Sequence, residues 1–188
     1  MAGFLLRTRK EKNYRLYIFA GICWLAGMLA EIAGVQTGFL FGDYRYGKWL
    51  GPAFAGVPLL IGVNWFIIVF CSASLAVWVL SQFDKKKSIS ARAIRKNPFL
   101  FILLGALFAT LFDWIMEPGA VRLGFWIWKG NGEIPMLNYL SWFLLSAILL
   151  VVFRRMRINP ENRFAVQLYF IQIVFFLLIR ILGSTFNV

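Results

Sequence analysis

The sequence predicts an all-α integral membrane protein with five transmembrane helices. Of its 188 residues, 61% are hydrophobic and only 15% are charged, which is far more apolar than a typical water-soluble domain. A bilayer core of about 30 Å requires roughly 20 apolar residues per helix. The stretches that meet this requirement are residues 16–36, 57–82, 98–116, 135–153 and 164–182.

The net charge of +12 is concentrated in alternate segments of the chain. The N-terminus and the second and fourth loops together hold fifteen of the twenty lysines and arginines. By the positive-inside rule, this predicts a cytoplasmic N-terminus at residues 1–15 and a C-terminus outside. The same distribution indicates membrane lipids rather than nucleic acid as the partner of these charges.

The first apolar run, residues 16–36, predicts an uncleaved anchor. It is longer than the apolar region of a signal peptide and has no clear small-residue cleavage site. Cys23 and Cys71 both fall inside predicted helices, where cysteine usually behaves as a small apolar residue. The chain has no histidine, so any acid–base chemistry must use carboxyl groups, tyrosines or water.

Two loops share an unusual aromatic pattern. The first, "GDYRYGKWLGPAFAGVP", covers residues 42–58, and the second, "GFWIWKGNGEIP", covers residues 124–135. In both loops an aromatic pair follows the first glycine by two and four residues. These pairs are Tyr44 with Tyr46 and Trp126 with Trp128.

The residues that flank the two loops also correspond. Glu31 and Asp113 each lie eleven residues before the first glycine, and Trp65 and Trp142 each lie seven residues after the proline. This order predicts two parallel repeats within one transmembrane domain, residues 16–188. The first repeat covers about 16–83, the second about 98–155, and an extra helix covers about 164–183.

Five carboxyl groups are expected toward the outer ends of the helices or in the outer loops. A carboxyl group in or near an apolar span is costly, so each is a candidate functional residue. They are Glu31, Asp43, Asp113, Glu117 and Glu133. Asp113 and Glu117 are four residues apart on one helix face, just before Pro118. Two such carboxyl groups, where water is scarce, favour the protonated form that a general acid requires. The alternative is structural, with one of them paired to Arg122 or Arg45.

The remaining candidates have alternative structural explanations. Glu31 has no neighbour in the sequence to neutralise it, so it is either protonated or paired across the repeat. Asp43 could simply form an Asx-type turn. Asn64, Asn138 and Ser141 could form hydrogen bonds to neighbouring helices or hold water.

Aromatic residues at a membrane interface are usually anchors. The shared spacing nevertheless predicts an aromatic pocket able to stabilise a cation. Its walls would be Tyr44, Tyr46, Trp65, Trp126, Trp128 and Trp142.

The strings "TGFLFGDYRYGKWLG", "GVPLLIGVNW" and "GFWIWKG", over roughly residues 31–142, resemble the signature blocks of the membrane carotenoid biosynthesis proteins. That family includes carotenoid hydratases, and it implies the cytoplasmic membrane of a bacterium or archaeon. The chain is shorter than the usual members of that family, and Ser141 stands where a glycine is expected.

The resemblance implies addition of water to the terminal 1,2 double bond of an acyclic or monocyclic carotenoid, with no cofactor. Protonation would give a tertiary cation, and water capture would give the alcohol. In this scheme Asp113 donates the proton and Glu31 is its counterpart in the other half. Asp43 or Glu117, with Asn138, orients the water, and the aromatic residues line the pocket together with Asn64.

Two other functions remain open at this stage. A carotenoid cyclase of the lycopene type would form the same cation and close a ring. A non-catalytic carotenoid- or lipid-binding protein or a transporter would also suit an internal duplication.

Overall fold

The computed structural model of the chain describes residues 14–82 and 97–185. Most of the basic N-terminus predicted at residues 1–15, and the basic segment around residues 85–96, lie outside the described residues. Five helices are long and apolar enough to cross a membrane, which confirms the predicted fold class. They are α1 (Tyr14–Thr37), α2 (Leu59–Gln82), α3 (Pro98–Arg122), α4 (Met136–Arg155) and α5 (Arg163–Thr185).

Helix α3 continues six residues beyond its predicted end at residue 116. Pro118 lies inside the helix, although proline has no N–H to donate to the preceding turn. The sequence pattern treated this proline as a stop, whereas the chain carries the helix through it to Arg122. As a result Asp113 and Glu117 both lie within regular helix, one turn apart on the same face.

Short strands in the two aromatic loops were not predicted. They are β1 (Tyr44–Tyr46), β2 (Ala53–Phe54), β3 (Val57–Pro58) and β4 (Trp126–Trp128). Strands β2 and β3 form a small hairpin within the first loop. Strand β1 pairs antiparallel with β4, and the paired residues are 80 to 84 positions apart in sequence, which is why local patterns did not reveal the pairing.

The β1–β4 ribbon joins the two aromatic loops at one end of the helix bundle. Tyr44 lies opposite Trp128 and Tyr46 lies opposite Trp126. Because residues two apart in a strand point to the same side, one face of the ribbon carries all four aromatic side chains. The ribbon places the two aromatic loops side by side. That the two halves of the chain arose by duplication stays a prediction.

Helix α2 is the central element of the bundle. Within the described structure, 83% of its apolar window is buried, against 22% for α5. Helix α2 packs against α1, α3 and α5, and α4 packs mainly against α3. The ends of α1 to α4 that adjoin the ribbon therefore surround a space beneath it, and α5 exposes most of its surface.

Candidate functional site

A small cavity lies between the β1–β4 ribbon and the helix ends that adjoin it. Its volume is about 30 Å³, which is room for roughly one or two water molecules. The lining residues are Glu31, Phe41, Tyr44, Tyr46, Ile61, Asn64, Trp65, Asp113, Met116, Glu117, Trp126, Trp128, Asn138 and Trp142. Of these described residues, none is a lysine or an arginine, so no side-chain cation faces the three carboxyl groups.

Glu31 of α1 accepts three hydrogen bonds from aromatic side chains of its own half of the chain. The hydroxyl groups of Tyr44 and Tyr46 both donate to Oε2, the latter at 2.7 Å. The indole Nε1 of Trp65 donates to Oε1 at 3.1 Å. The sequence left a pairing across the repeat open, but the partners of Glu31 come from the adjacent loop and helix.

The two tyrosines remain hydrogen-bond donors at neutral pH. Burial raises the pKa of Tyr44, and the nearby Glu31 carboxyl raises it further. Burial likewise raises the pKa of Tyr46 well above its usual range, with Glu31 again adding to the shift. Both phenols therefore stay protonated and hold the Glu31 carboxyl in a fixed orientation.

Glu117 of α3 is held in a similar way by the second aromatic pair. Trp126 Nε1 donates to Oε2 at 2.9 Å, and Trp128 Nε1 donates to the same oxygen at 3.1 Å. The spacing in the sequence predicted that Asp113 corresponds to Glu31. In the structure, the residue that accepts from an aromatic pair as Glu31 does is Glu117. The difference arises because α3 extends past Pro118 and brings Glu117 next to the ribbon.

Asp113 is fully buried and has a different environment from the other two acids. Asn138 Nδ2 of α4 donates to Asp113 Oδ2 at 2.7 Å and approaches Glu117 Oε1 at 3.5 Å. Asp113 Oδ1 has no hydrogen-bond partner among the described residues. The Asn138 amide thus contacts both Asp113 and Glu117 and leaves Asp113 Oδ1 without a donor among the described residues.

Aromatic rings form much of the cavity wall. The Trp65 and Trp142 rings stack with centroids 4.1 Å apart and planes inclined by 17°. Tyr44 packs on Trp128 at 5.1 Å, and Tyr46 packs edge-on to Trp126 at 6.0 Å. The cavity thus combines electron-rich ring faces with carboxyl groups, a surface that favours positive charge.

Other predicted residues lie outside the cavity. Asp43 is exposed, and its carboxylate pairs with Lys129 at 2.7 Å, so it fastens the two loops together. Ser141 donates to the carbonyl of Leu40. Arg122 donates to the carbonyl of Arg180 at 3.0 Å rather than to an acid of α3.

Three apolar cavity residues were missed at the sequence level: Phe41, Ile61 and Met116. Helical spacing could have indicated two of them. Ile61 lies four residues before Trp65, and Met116 lies three residues after Asp113, so each shares a helix face with a candidate. Within the described residues, no group of three or more histidine, cysteine or acidic side chains is arranged to hold a metal ion.

Comparison with known proteins identifies the family. A family model described as "Carotenoid biosynthesis protein" matches residues 1–187. The chain belongs to this family. The resemblance in the aromatic loops is therefore confirmed, and together with the five apolar helices it establishes a membrane protein of carotenoid biosynthesis.

This carotenoid biosynthesis protein is also similar to a curated relative, bisanhydrobacterioruberin hydratase of Haloarcula japonica. The two are 31% identical over 126 residues, which is 65% of this chain. The match takes in only 39% of the length of the relative. No solved structure matches the carotenoid biosynthesis protein.

Proposed function

We propose that the protein is a carotenoid hydratase that adds water to the terminal 1,2 double bond of an acyclic carotenoid end. The family and the name of its relative support the reaction class. The observation that carries the chemical argument is Asp113 Oδ1, a buried carboxyl oxygen without a partner among the described residues, in a residue that lines the water-sized cavity.

Asp113 is the proton donor in this proposal. A buried carboxylate with no cation beside it is costly, so the neutral acid is the favoured form. Asn138 donates to Oδ2, which makes Oδ2 an acceptor and leaves Oδ1 as the atom that carries the proton. Transfer of that proton to C2 uses the π electrons of the double bond and leaves a tertiary cation at C1.

The cavity would stabilise this cation in two ways. The stacked indoles of Trp65 and Trp142 line the cavity, and the quadrupole of an aromatic ring stabilises a cation placed against its uncovered face. The carboxyl cluster gains negative charge as Asp113 gives up its proton, and phenol and indole donors already hold Glu31 and Glu117 in place, so little reorganisation is needed as the cation forms.

Water then captures the cation and the catalyst is restored. The water oxygen bonds to C1, and its surplus proton passes to a carboxyl oxygen of the cluster. Asn138 Nδ2 contacts both acids of α3, which places them close together, so a water molecule in the cavity can carry a proton accepted by Glu117 back to Asp113. The net change is one H at C2 and one OH at C1. Hydration leaves the oxidation level unchanged, so the proposed reaction needs no redox cofactor.

Product mass tests the proposal directly. The protein is expressed in cells that make lycopene, and the extracted pigments are separated and weighed against those of cells with the empty vector. A product heavier by one water per hydrated end is expected. An isomer of unchanged mass would identify a cyclase, and unchanged pigments at confirmed expression would identify a binding or transport protein; either result contradicts the proposal.

A further inference from the structure

A second, larger space adjoins the carboxyl cavity at the flank of α5. Its volume is about 290 Å³, close to the lower limit of about 300 Å³ for small-molecule pockets. Helix α2 contributes Leu60, Asn64 and Ile67, which are spaced four and three residues apart and so share one face. Helix α3 contributes Phe112 and Met116, one turn apart.

Helix α5 and the outer loops complete this groove. Gln172 and Phe176, again one turn apart, form its third wall, and Phe125 and Leu50 cover it at the outer end. The side chain of Leu60 is 54% exposed, which places an opening at the outer part of α2. An apolar ligand dissolved in the bilayer can therefore reach the groove without crossing water.

The groove adjoins the carboxyl cavity. Ile61, Asn64, Met116 and Trp126 line both spaces and form the wall between them. The cavity itself, at about 30 Å³, holds water but not a branched isoprenoid end. The end group must therefore approach from the larger space and displace the side chains of this shared wall.

We infer that the groove between α2, α3 and α5 takes the terminal part of the polyene from the bilayer and directs its end into the carboxyl cavity. The apolar walls match a hydrocarbon rod, and the short groove leaves the rest of the chain in lipid. Gln172, in the wall of the groove, has a buried Oε1 atom without a hydrogen-bond partner among the described residues. A water molecule in the groove can donate a hydrogen bond to this oxygen. The hydration of the end group in the cavity rests on the proposed function. The binding of the polyene in the groove does not.

The test compares filled and unfilled grooves in the Asp113→Asn background, which removes turnover. Leu60→Trp and Gln172→Trp, singly and together, fill the groove. The matched control is Leu140→Trp with Ile171→Trp, because those side chains are 53% and 61% exposed and line neither space. Each variant is purified from lycopene-producing cells, and lycopene per mole of protein is measured by absorbance.

Filling the groove should lower retained lycopene by about tenfold or more, while the control pair retains it. Leu60→Trp alone, at an exposed position, keeps the test valid if the double variant misfolds. Equal retention in filled and control variants overturns the inference, as does retention of phospholipid without lycopene in every variant. The wild-type protein, which has Asp113, is measured in the same way. If it retains lycopene but does not hydrate it, the proposed function is contradicted and the inference about the groove is not.

Discussion

Three carboxyl groups in one cavity differ chiefly in what donates to them. Glu31 accepts from two phenols and an indole, and Glu117 accepts from two indoles. Asp113 accepts from one amide and keeps an oxygen free. Hydrogen bonds to a carboxyl group favour its charged form, so the three residues are suited to different parts of an acid–base cycle.

Sequence reasoning could identify these residues but not their roles. The spacing of Glu31 and Asp113 from the aromatic loops indicated that both matter, and the structure places both at one cavity. For Glu117 the sequence left two roles open, orienting the water or pairing structurally with Arg122 or Arg45. Its indole donors depend on a strand pairing between distant loops, which leaves no local signature. Asp43 was predicted either to form an Asx-type turn or to orient the water, and its side chain faces solvent and Lys129.

At the residue scale, Trp128→Phe should slow hydration by about tenfold or more while retaining the ring wall. The substitution removes one of the two indole N–H donors to Glu117, and a hydrogen bond to a charged acceptor contributes about 1.5–3 kcal/mol. Hydrated pigment is measured over time at equal protein level. Trp49→Phe is the control, because Trp49 is 77% exposed and should tolerate the change. Equal rates in the two variants would leave the Trp128 indole without a role.

At the element scale, the packing of α1 against α2 sets the position of Trp65. A Cβ added at Gly27 would lie 2.4 Å from Trp65 Cδ1, closer than atoms can approach. The glycine therefore permits the close contact that brings the Trp65 indole to Glu31 and its ring onto Trp142. Hydropathy predicted both helices, but this contact requires the relative rotation of the two helices, which a one-dimensional pattern does not specify.

Gly27→Ala should therefore destabilise the protein by about 1–3 kcal/mol and lower hydration, because Trp65 must move. Gly21→Ala is a control in the same helix. No atom lies within 4 Å of a Cβ built there, so that variant should be neutral or slightly stabilising. Thermal unfolding in detergent and pigment turnover are measured for both. A Gly27→Ala variant that behaves like Gly21→Ala would contradict the packing account.

The strands illustrate the limit of pattern reading at the same scale. Two aromatic pairs with alternate spacing were recognised as a repeat, and that spacing is also what a strand requires to place them on one face. The chain was nevertheless expected to be all-α. Ribbons of two or three residues are stable only when tertiary packing supports them, and that packing is between elements far apart in sequence.

For the molecule as a whole, five membrane crossings by the described helices would place residues 14 and 185 on opposite sides of the membrane. The charge distribution predicts the aromatic ribbon on the outer side. A carotenoid hydratase of this design would draw its hydrocarbon substrate from the bilayer and its water from the outer surface.

Cysteine labelling tests this orientation. Lys48→Cys lies in the first outer loop and Glu161→Cys lies at the opposite end of the bundle, and both positions are exposed. Cys23 and Cys71 are fully buried and should not react. A membrane-impermeant maleimide should label position 48 in intact cells and position 161 only after the cells are opened. The reverse pattern would invert the proposed orientation.

Hydration in D₂O by wild-type protein and by Asp113→Asn tests the central claim most directly. Asparagine keeps the size of the side chain and can still accept from Asn138, but it has no acidic proton to transfer. The wild-type product should carry one non-exchangeable deuterium per hydrated end. Asp113→Asn, inserted and folded at the wild-type level, should lose activity by about 10²-fold or more. Wild-type turnover by Asp113→Asn, or a hydrated product without deuterium on carbon, would contradict protonation by this carboxyl group.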